Sequence, residues 1–313
     1  MNDAVWELMF TEKEKSFKIA QKALEIAVNS KNLYSLSDCY NTLGAYYYLI
    51  ADFQSSIKYH QNAMEARTKL NDTKGLISTY NNLGSALKEL GDYKNEVEYY
   101  FKALKISESK RDTISQCSIL NNIADAFKRQ DNYSKAEHYH LIALELRNII
   151  GDVKGLIGTY INLGAIKDHT KEFKEANKYY NQANELLKTN PDNYLLAKYH
   201  SNLGSLLKDE NKLDEAIHHI NEAILINEKI VSNSSNLVNY VNLGTVLHEQ
   251  RDLKKANEAY RKAYDLSKGF GNKQWQKQAL HGLSSTYAEL KNYEMAFDAR
   301  LKYDELNDTL RNK

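Results

Sequence analysis

Tyr80-Asn81-Asn82-Leu83-Gly84 decides the fold, because near-copies of it recur along the whole chain. They read Tyr40-Asn41-Thr42-Leu43-Gly44, Leu120-Asn121-Asn122-Ile123-Ala124, Tyr160-Ile161-Asn162-Leu163-Gly164, His200-Ser201-Asn202-Leu203-Gly204, Tyr240-Val241-Asn242-Leu243-Gly244 and Leu280-His281-Gly282-Leu283-Ser284. Each begins 40 residues after the one before. An internal period of about 20 to 50 residues marks an array of one supersecondary unit. The 313 residues are therefore expected to form one continuous array rather than two ordinary domains.

One unit shows the local structure. Between Thr73 and Leu90, apolar residues fall at Leu76, Tyr80, Leu83, Leu87 and Leu90, a single stripe of an amphipathic helix, here helix A. Gly91-Asp92-Tyr93 breaks the stripe, and Val97, Tyr100, Ala103, Leu104 and Ser107 trace helix B. Helix A is preceded in successive units by Asn32, Asp72, Asp112, Asp152, Asp192, Ser232 and Asn272, all capable N-caps. Before helix B stand Asp52, Asp92, Asn132, Glu172, Lys212, Asp252 and Asn292, of which Glu172 and Lys212 are weak caps. Helices of about 18 residues are roughly 27 Å long, and the short turns require consecutive helices to lie antiparallel as neighbours.

Small residues recur where the helices must approach closely. Gly44, Gly84, Ala124, Gly164, Gly204, Gly244 and Ser284 share one helix-A column. Ala136, Ala176, Ala216, Ala256 and Ala296 share a helix-B column, with Ser56 and Glu96 in its first two copies, and Ala63, Ala103, Ala143, Ala183, Ala223 and Ala263 form another. His60, Tyr100, His140, Tyr180, Ile220 and Tyr260 supply the complementary bulk.

These columns resemble the tetratricopeptide repeat. The family's pattern of an aromatic or Leu, then Leu-Gly, Tyr, Ala, an aromatic and a final Ala is matched by Tyr40, Leu43-Gly44, Tyr47, Ser56, His60 and Ala63, and likewise in later copies. The 40-residue unit is longer than the family's common 34, and the family's proline near the unit boundary is missing. The resemblance implies an all-α, right-handed superhelical α-solenoid of antiparallel helix pairs. Its units are expected at 33–72, 73–112, 113–152, 153–192, 193–232, 233–272 and 273–313, the last including a C-terminal cap. Residues 1–32 read as a partial repeat or cap, with Ala4 in the Gly44 column and Ala23-Leu24 matching Ala63-Met64. In the last unit Arg300 and Tyr303 stand where a large core residue and Ala belong, which reads as a polar end.

Composition narrows the function. The 42 Lys+Arg balance 41 Asp+Glu, so no nucleic acid or anionic membrane is expected as partner. Pro191 is the only proline and Gly numbers 13, in keeping with a chain of helix interiors. Cys39 and Cys117, about two units apart, read as buried thiols rather than a disulfide or metal pair. No run of about 18 apolar residues and no apolar leader is present, so the chain reads as soluble and cytoplasmic, or as one domain of a longer, membrane-anchored protein. No histidine pair has helical metal spacing: His138 and His140 are two apart, and His218 and His219 are adjacent. No nucleophile set, phosphate loop or cofactor motif occurs, so the chain reads as no enzyme and as needing no cofactor or metal.

The candidate binding face is the side of helix A opposite its packing stripe, carrying Ser78, Asn81, Asn82, Ser85, Lys88 and Glu89 in the second unit. Asn82, Asn122, Asn162, Asn202 and Asn242 form one column, preceded by Asn41, Asn81 and Asn121 in three copies. A rigid amide with two donors and an acceptor suits the backbone of an extended peptide. Asn is a poor helix-interior residue, so the column needs a reason, either ligand contact or bridging between helices. The resemblance implies that this face lines a concave groove and that the Asn two before the Gly contacts peptide backbone. Lys88, Lys128 and Lys208 share a column in which Asp168 and His248 replace Lys; with Arg129 and Lys198 nearby they suggest a preference for acidic groups on the ligand, diluted by Glu89, Asp209 and Glu249.

The expectation is a non-catalytic scaffold that holds an extended peptide or partner segment. The closing helix, Tyr293 to Leu310, resembles the segment that precedes a membrane helix and output module in bacterial sensors with tetratricopeptide input regions, which implies the input half of a receptor. The alternatives are a peptide-pheromone-type regulator whose superhelix changes pitch on binding, and a structural self-assembly module.

Overall fold

The computed structural model describes residues 12–230 and 233–311. The Ala4 position, the start of the chain and the Ser232 cap lie outside them. The chain divides into two compact units, Met1–Asp152 and Val153–Lys313. The first holds α1 (Lys13–Ser30), α2 (Leu33–Leu49), α3 (Phe53–Lys69), α4 (Thr73–Leu90), α5 (Tyr93–Ser109), α6 (Thr113–Arg129) and α7 (Tyr133–Ile150). The second holds α8 (Val153–His169), α9 (Phe173–Thr189), α10 (Asn193–Asp209), α11 (Leu213–Lys229), α12 (Asn236–Glu249), α13 (Leu253–Gly269), α14 (Lys273–Glu289) and α15 (Tyr293–Arg311). A 3₁₀ turn, Asn233–Ser235, leads into α12. The even-numbered helices from α2 to α14 are the A helices, and the odd-numbered ones from α3 to α15 are the B helices. Within each unit every helix packs on the next, and successive A helices also touch. The architecture is all-α and built from helix pairs.

The caps act as their residue types predict. Asn32, Asp72, Asp112, Asp192 and Asn272 accept from the backbone N–H three residues on and open A helices. Asp52, Asp92, Asn132, Asp252 and Asn292 do the same for B helices, while Glu172 and Lys212 make no such bond. Each cap is worth about 1 kcal/mol. In the same turns a residue just before the cap is left-handed: Lys31, Ala51, Asn71, Arg111, Asp131, Lys171, Asn211, Arg251 and Lys291, with φ between 53 and 67°, and three glycines. The cap residue's own N–H then closes the preceding helix by bonding five residues back, as Asp52 does to Tyr47 (2.9 Å) and Asp92 to Leu87 (3.1 Å). One residue thus ends one helix and begins the next. Pro191 interrupts this scheme between α9 and α10, because its ring holds φ negative where the other described turns go left-handed.

The small columns sit against the bulky one. A Cβ on Gly84 would lie 2.5 Å from the Tyr100 ring, on Gly164 2.6 Å from Tyr180, and on Gly244 2.7 Å from Tyr260. Each of those rings is at most 6% exposed, so the glycine backbone itself forms one wall of the packing site. The two exceptions in the helix-B small column are accommodated differently. Ser56 donates to the Gly44 carbonyl at 2.8 Å, and Glu96, wholly buried, is paired with Arg129 of α6. On α15, Arg300 is exposed and bonds Asp304, while Tyr293, Phe297 and Leu301 form an exposed apolar stripe at helical spacing.

Candidate functional site

In the first unit the A helices α2, α4 and α6 bring the asparagines into a chain of amide bonds. Asn82 donates to Asn41 at 3.2 Å and Asn122 to Asn81 at 2.8 Å, so each bond joins one A helix to the next. Asn121 donates to Asp125, one turn on. The cations of this face are held at home. Lys88 lies 3.1 Å from Glu89, Lys128 is 3.8 Å from Asp125, and Arg129 is engaged with Glu96. Tyr48 adds a 3.3 Å bond to Glu89, and burial followed by that carboxylate's charge pushes its hydroxyl up to about 12.

The A helices of the second unit, α8, α10 and α12, are arranged otherwise. Asn162 is buried and accepts from Lys198 at 2.7 Å. Ser201 donates to Asn239 at 2.6 Å, a bridge between α10 and α12 that uses neither column asparagine. Asn202 and Asn242 are partly buried, and among the described residues their amides have no side-chain or backbone partner. Lys208 lies 2.9 Å from Asp209, which also takes Lys171 at 2.5 Å. His248 and Arg251 converge on Glu289 at 2.5 and 2.6 Å.

Asp168 occupies the Lys88 column but is only 8% exposed, and its Oδ1 has no hydrogen-bond partner among the described residues. Burial, then the charge of Asp209, pushes its carboxyl up to about 6. Close by, the buried Tyr180 hydroxyl is likewise unpartnered. Its counterparts are not: Tyr100 meets Ser85 at 3.4 Å and Tyr260 donates to Thr245 at 3.2 Å. Ala165 stands in that Ser/Thr position on α8, so the acceptor is missing by sequence. Two orphaned polar groups therefore flank one side of the second unit's A-helix face.

The structure also joins two histidines that spacing within a helix does not reveal. His200 of α10 and His219 of α11 bring their Nδ1 atoms to 2.8 Å with rings 5.0 Å apart. Burial, then the neighbouring imidazole, lowers His200 to about 4, so the pair is neutral at physiological pH. Among the described residues no group of three or more His, Cys, Asp or Glu could hold a metal ion, and no helix is long and apolar enough to cross a membrane.

A family model described as tetratricopeptide repeat matches residues 40–109, 115–189 and 194–269. No curated protein matches the sequence. Among solved structures, the apo form of RapI covers 88% of this chain and 98% of its own at 14% identity, with TM-score 0.70. Aspartyl phosphate phosphatase F from Bacillus subtilis covers 84% and 68% at 15% identity, with TM-score 0.71. NprR in complex with its cognate peptide NprX covers 99% and 98% at 15% identity, with TM-score 0.63. At these identities the likeness is one of fold.

Proposed function

We propose that this chain, which belongs to the tetratricopeptide repeat family, is a non-catalytic scaffold that binds an extended peptide on its A-helix face, in the manner of a signalling input module. The observation that carries the reading is the pair of amides on α10 and α12, Asn202 and Asn242, that bond no described residue, together with the orphaned Asp168 oxygen on α8. An Asn on a helix interior costs helix propensity, and two partly buried amides that reach solvent without bonding a described residue are available to a ligand's backbone. Each amide would bracket a peptide C=O and N–H, and Asp168 would take a donor, either a backbone N–H or a cationic side chain. Taken by itself, the first unit would offer ligand contacts from Asn41, Asn81, Asn82, Asn121 and Asn122 only with the bonding capacity their own bonds leave over. Lys88, Lys128 and Lys208 would favour acidic groups only where a ligand carboxylate displaces an acid of their own helix, and Arg129 only where it leaves Glu96 of α5. The fold shared with NprR, solved with a peptide bound, supports the peptide class.

The test is selection of a random peptide library on the intact chain, followed by titration of the enriched peptides. Binding should fall by about tenfold or more in the Asn202→Ala/Asn242→Ala variant, as expected for two hydrogen bonds of about 1 kcal/mol each. Enriched peptides that bind this folded variant as well as the parent would remove the reading.

A further inference from the structure

The B helices carry a second repeated feature with one conspicuous gap. Tyr59, Tyr99, Tyr139, Tyr179, His219, Ala259 and Ala299 share a column. In the first four copies the ring packs beside aromatic neighbours. Tyr59 lies 6.3 Å from Tyr40 and 5.2 Å from Tyr47; Tyr139 lies 5.6 Å from Phe127 and 5.8 Å from Phe101 of the preceding B helix; Tyr99 and Tyr179 pair with Tyr80 and Tyr160. In the sixth copy the ring is absent but the A-helix ring that would face it, Tyr240, remains. Tyr240, Leu247 and Asn221 occupy the positions of Tyr40, Tyr47 and Phe101, and they face Ala259 across a cavity of about 360 Å³.

The cavity lies between α11 and α13 with α12 as its floor. Its base is apolar, from Ile217, Leu243 and Leu247 beside Tyr240. Its rim includes Lys262, whose Nζ is 5.3 Å from the centre of the Tyr240 ring, and the exposed amide of Asn221. The seventh copy has Ala299 too, but there Leu280 stands in the Tyr240 position, so neither ring of the pair is present. Only in the sixth copy is a ring retained on the A helix while its partner is deleted.

We propose that this cavity is a docking site for an aromatic side chain, Tyr or Phe, presented by a partner protein. One wall, Tyr240, holds the A-helix position whose ring meets a B-helix tyrosine in three other copies, which points to an aromatic guest. A ring inserted from outside would stack near Tyr240, and Lys262 would cap it through a cation–π contact. The Asn221 amide is placed to bond the backbone beside the inserted side chain, which favours a protein segment over a free aromatic molecule. The site is separate from the A-helix face: on α12, Tyr240, Leu243 and Leu247 lie on one side and Asn242 on the other.

N-acetyl-tyrosinamide, N-acetyl-leucinamide and phenylacetate serve as probes, read by methyl NMR of Ile217, Leu243 and Leu247 in the full chain. The tyrosine amide should shift these signals saturably and bind more tightly than the other two. Ala259→Tyr, which restores the ring found in other copies, should abolish the shifts while keeping thermal stability equal or higher. Lys262→Ala, a surface change that leaves the fold intact, should weaken binding by about two- to fivefold. Absence of saturable shifts, equal binding of the leucine amide, tighter binding of phenylacetate, persistence in folded Ala259→Tyr, or unchanged affinity in Lys262→Ala would each overturn the proposal. None of these outcomes bears on the asparagine face.

Discussion

The two units treat the same asparagine column in opposite ways. In the first, Asn41, Asn81, Asn82 and Asn122 satisfy one another across neighbouring A helices. In the second, the bridge between α10 and α12 is made by Ser201 and Asn239, and Asn202 and Asn242 have no partner among the described residues. One residue type at one register thus serves helix-to-helix bonding in one unit and is left available in the other. The difference comes from the residue one position earlier. Asn41 and Asn81 provide the acceptor in the first unit, whereas Ile161, Ser201 and Val241 stand there in the second.

The largest expected effect tests how far the first unit depends on its polar pairings. Arg129→Ala leaves the wholly buried Glu96 without its counter-charge and should cost about 3 kcal/mol in urea unfolding. Adding Glu96→Ala should recover most of that loss, since alanine fills this column in later copies. A single variant as stable as the parent would mean that the pairing contributes nothing.

Next is pH, where the second unit carries opposing groups. The Asp168 carboxyl is raised to about 6, so the folded state holds a proton that the unfolded state gives up between the ordinary carboxylate range and pH 6. Its contribution is therefore fully present below the ordinary carboxylate range, is lost as pH rises from there through 6, and stays lost above it. His200, lowered to about 4, does the reverse: stability is lost as pH falls from about 6.5 towards 4. Asp168→Asn should be more stable than the parent at pH 7.5 by about 2 kcal/mol at most, with the gap closing by pH 4.5. His200→Tyr, the residue of four other copies, should lessen the acid loss. Thermal unfolding at both pH values reads both effects, and parallel pH curves for parent and variants would contradict them.

The smallest effect separates the asparagines directly. Asn41→Ala/Asn81→Ala strips the acceptors from Asn82 and Asn122 and should lower stability by about 1 kcal/mol or somewhat more. Asn202→Ala/Asn242→Ala should stay within about 0.5 kcal/mol of the parent, because no protein bond is lost. Equal stability changes in the two pairs would erase the contrast between the units.

Much of this was legible in the sequence. The helix pairs follow from the stripe through Leu76, Tyr80, Leu83 and Leu87, and the weak caps at Glu172 and Lys212 are those that make no bond. The amide bridges were harder to read because they join residues 41 apart, one step off the repeat, and connect different columns. His200 and His219 are 19 apart on two helices, so intrahelical spacing was blind to them. The left-handed turns were hidden for another reason: Lys31, Ala51 and Arg111 carry no glycine signal, and tertiary packing imposes the conformation on them.

Those turns also govern how a gene for such a chain can grow. Since one residue closes a helix and opens the next, excising residues 73–112 would join Asp72 to Thr113 and rebuild an Asp-Thr seam identical to the two it replaces. Recombination between equivalent turns therefore adds or removes whole units silently. A single codon inserted within a helix would instead rotate every later side chain in that helix by about 100°. Change in length is tolerated here in quanta of 40 residues.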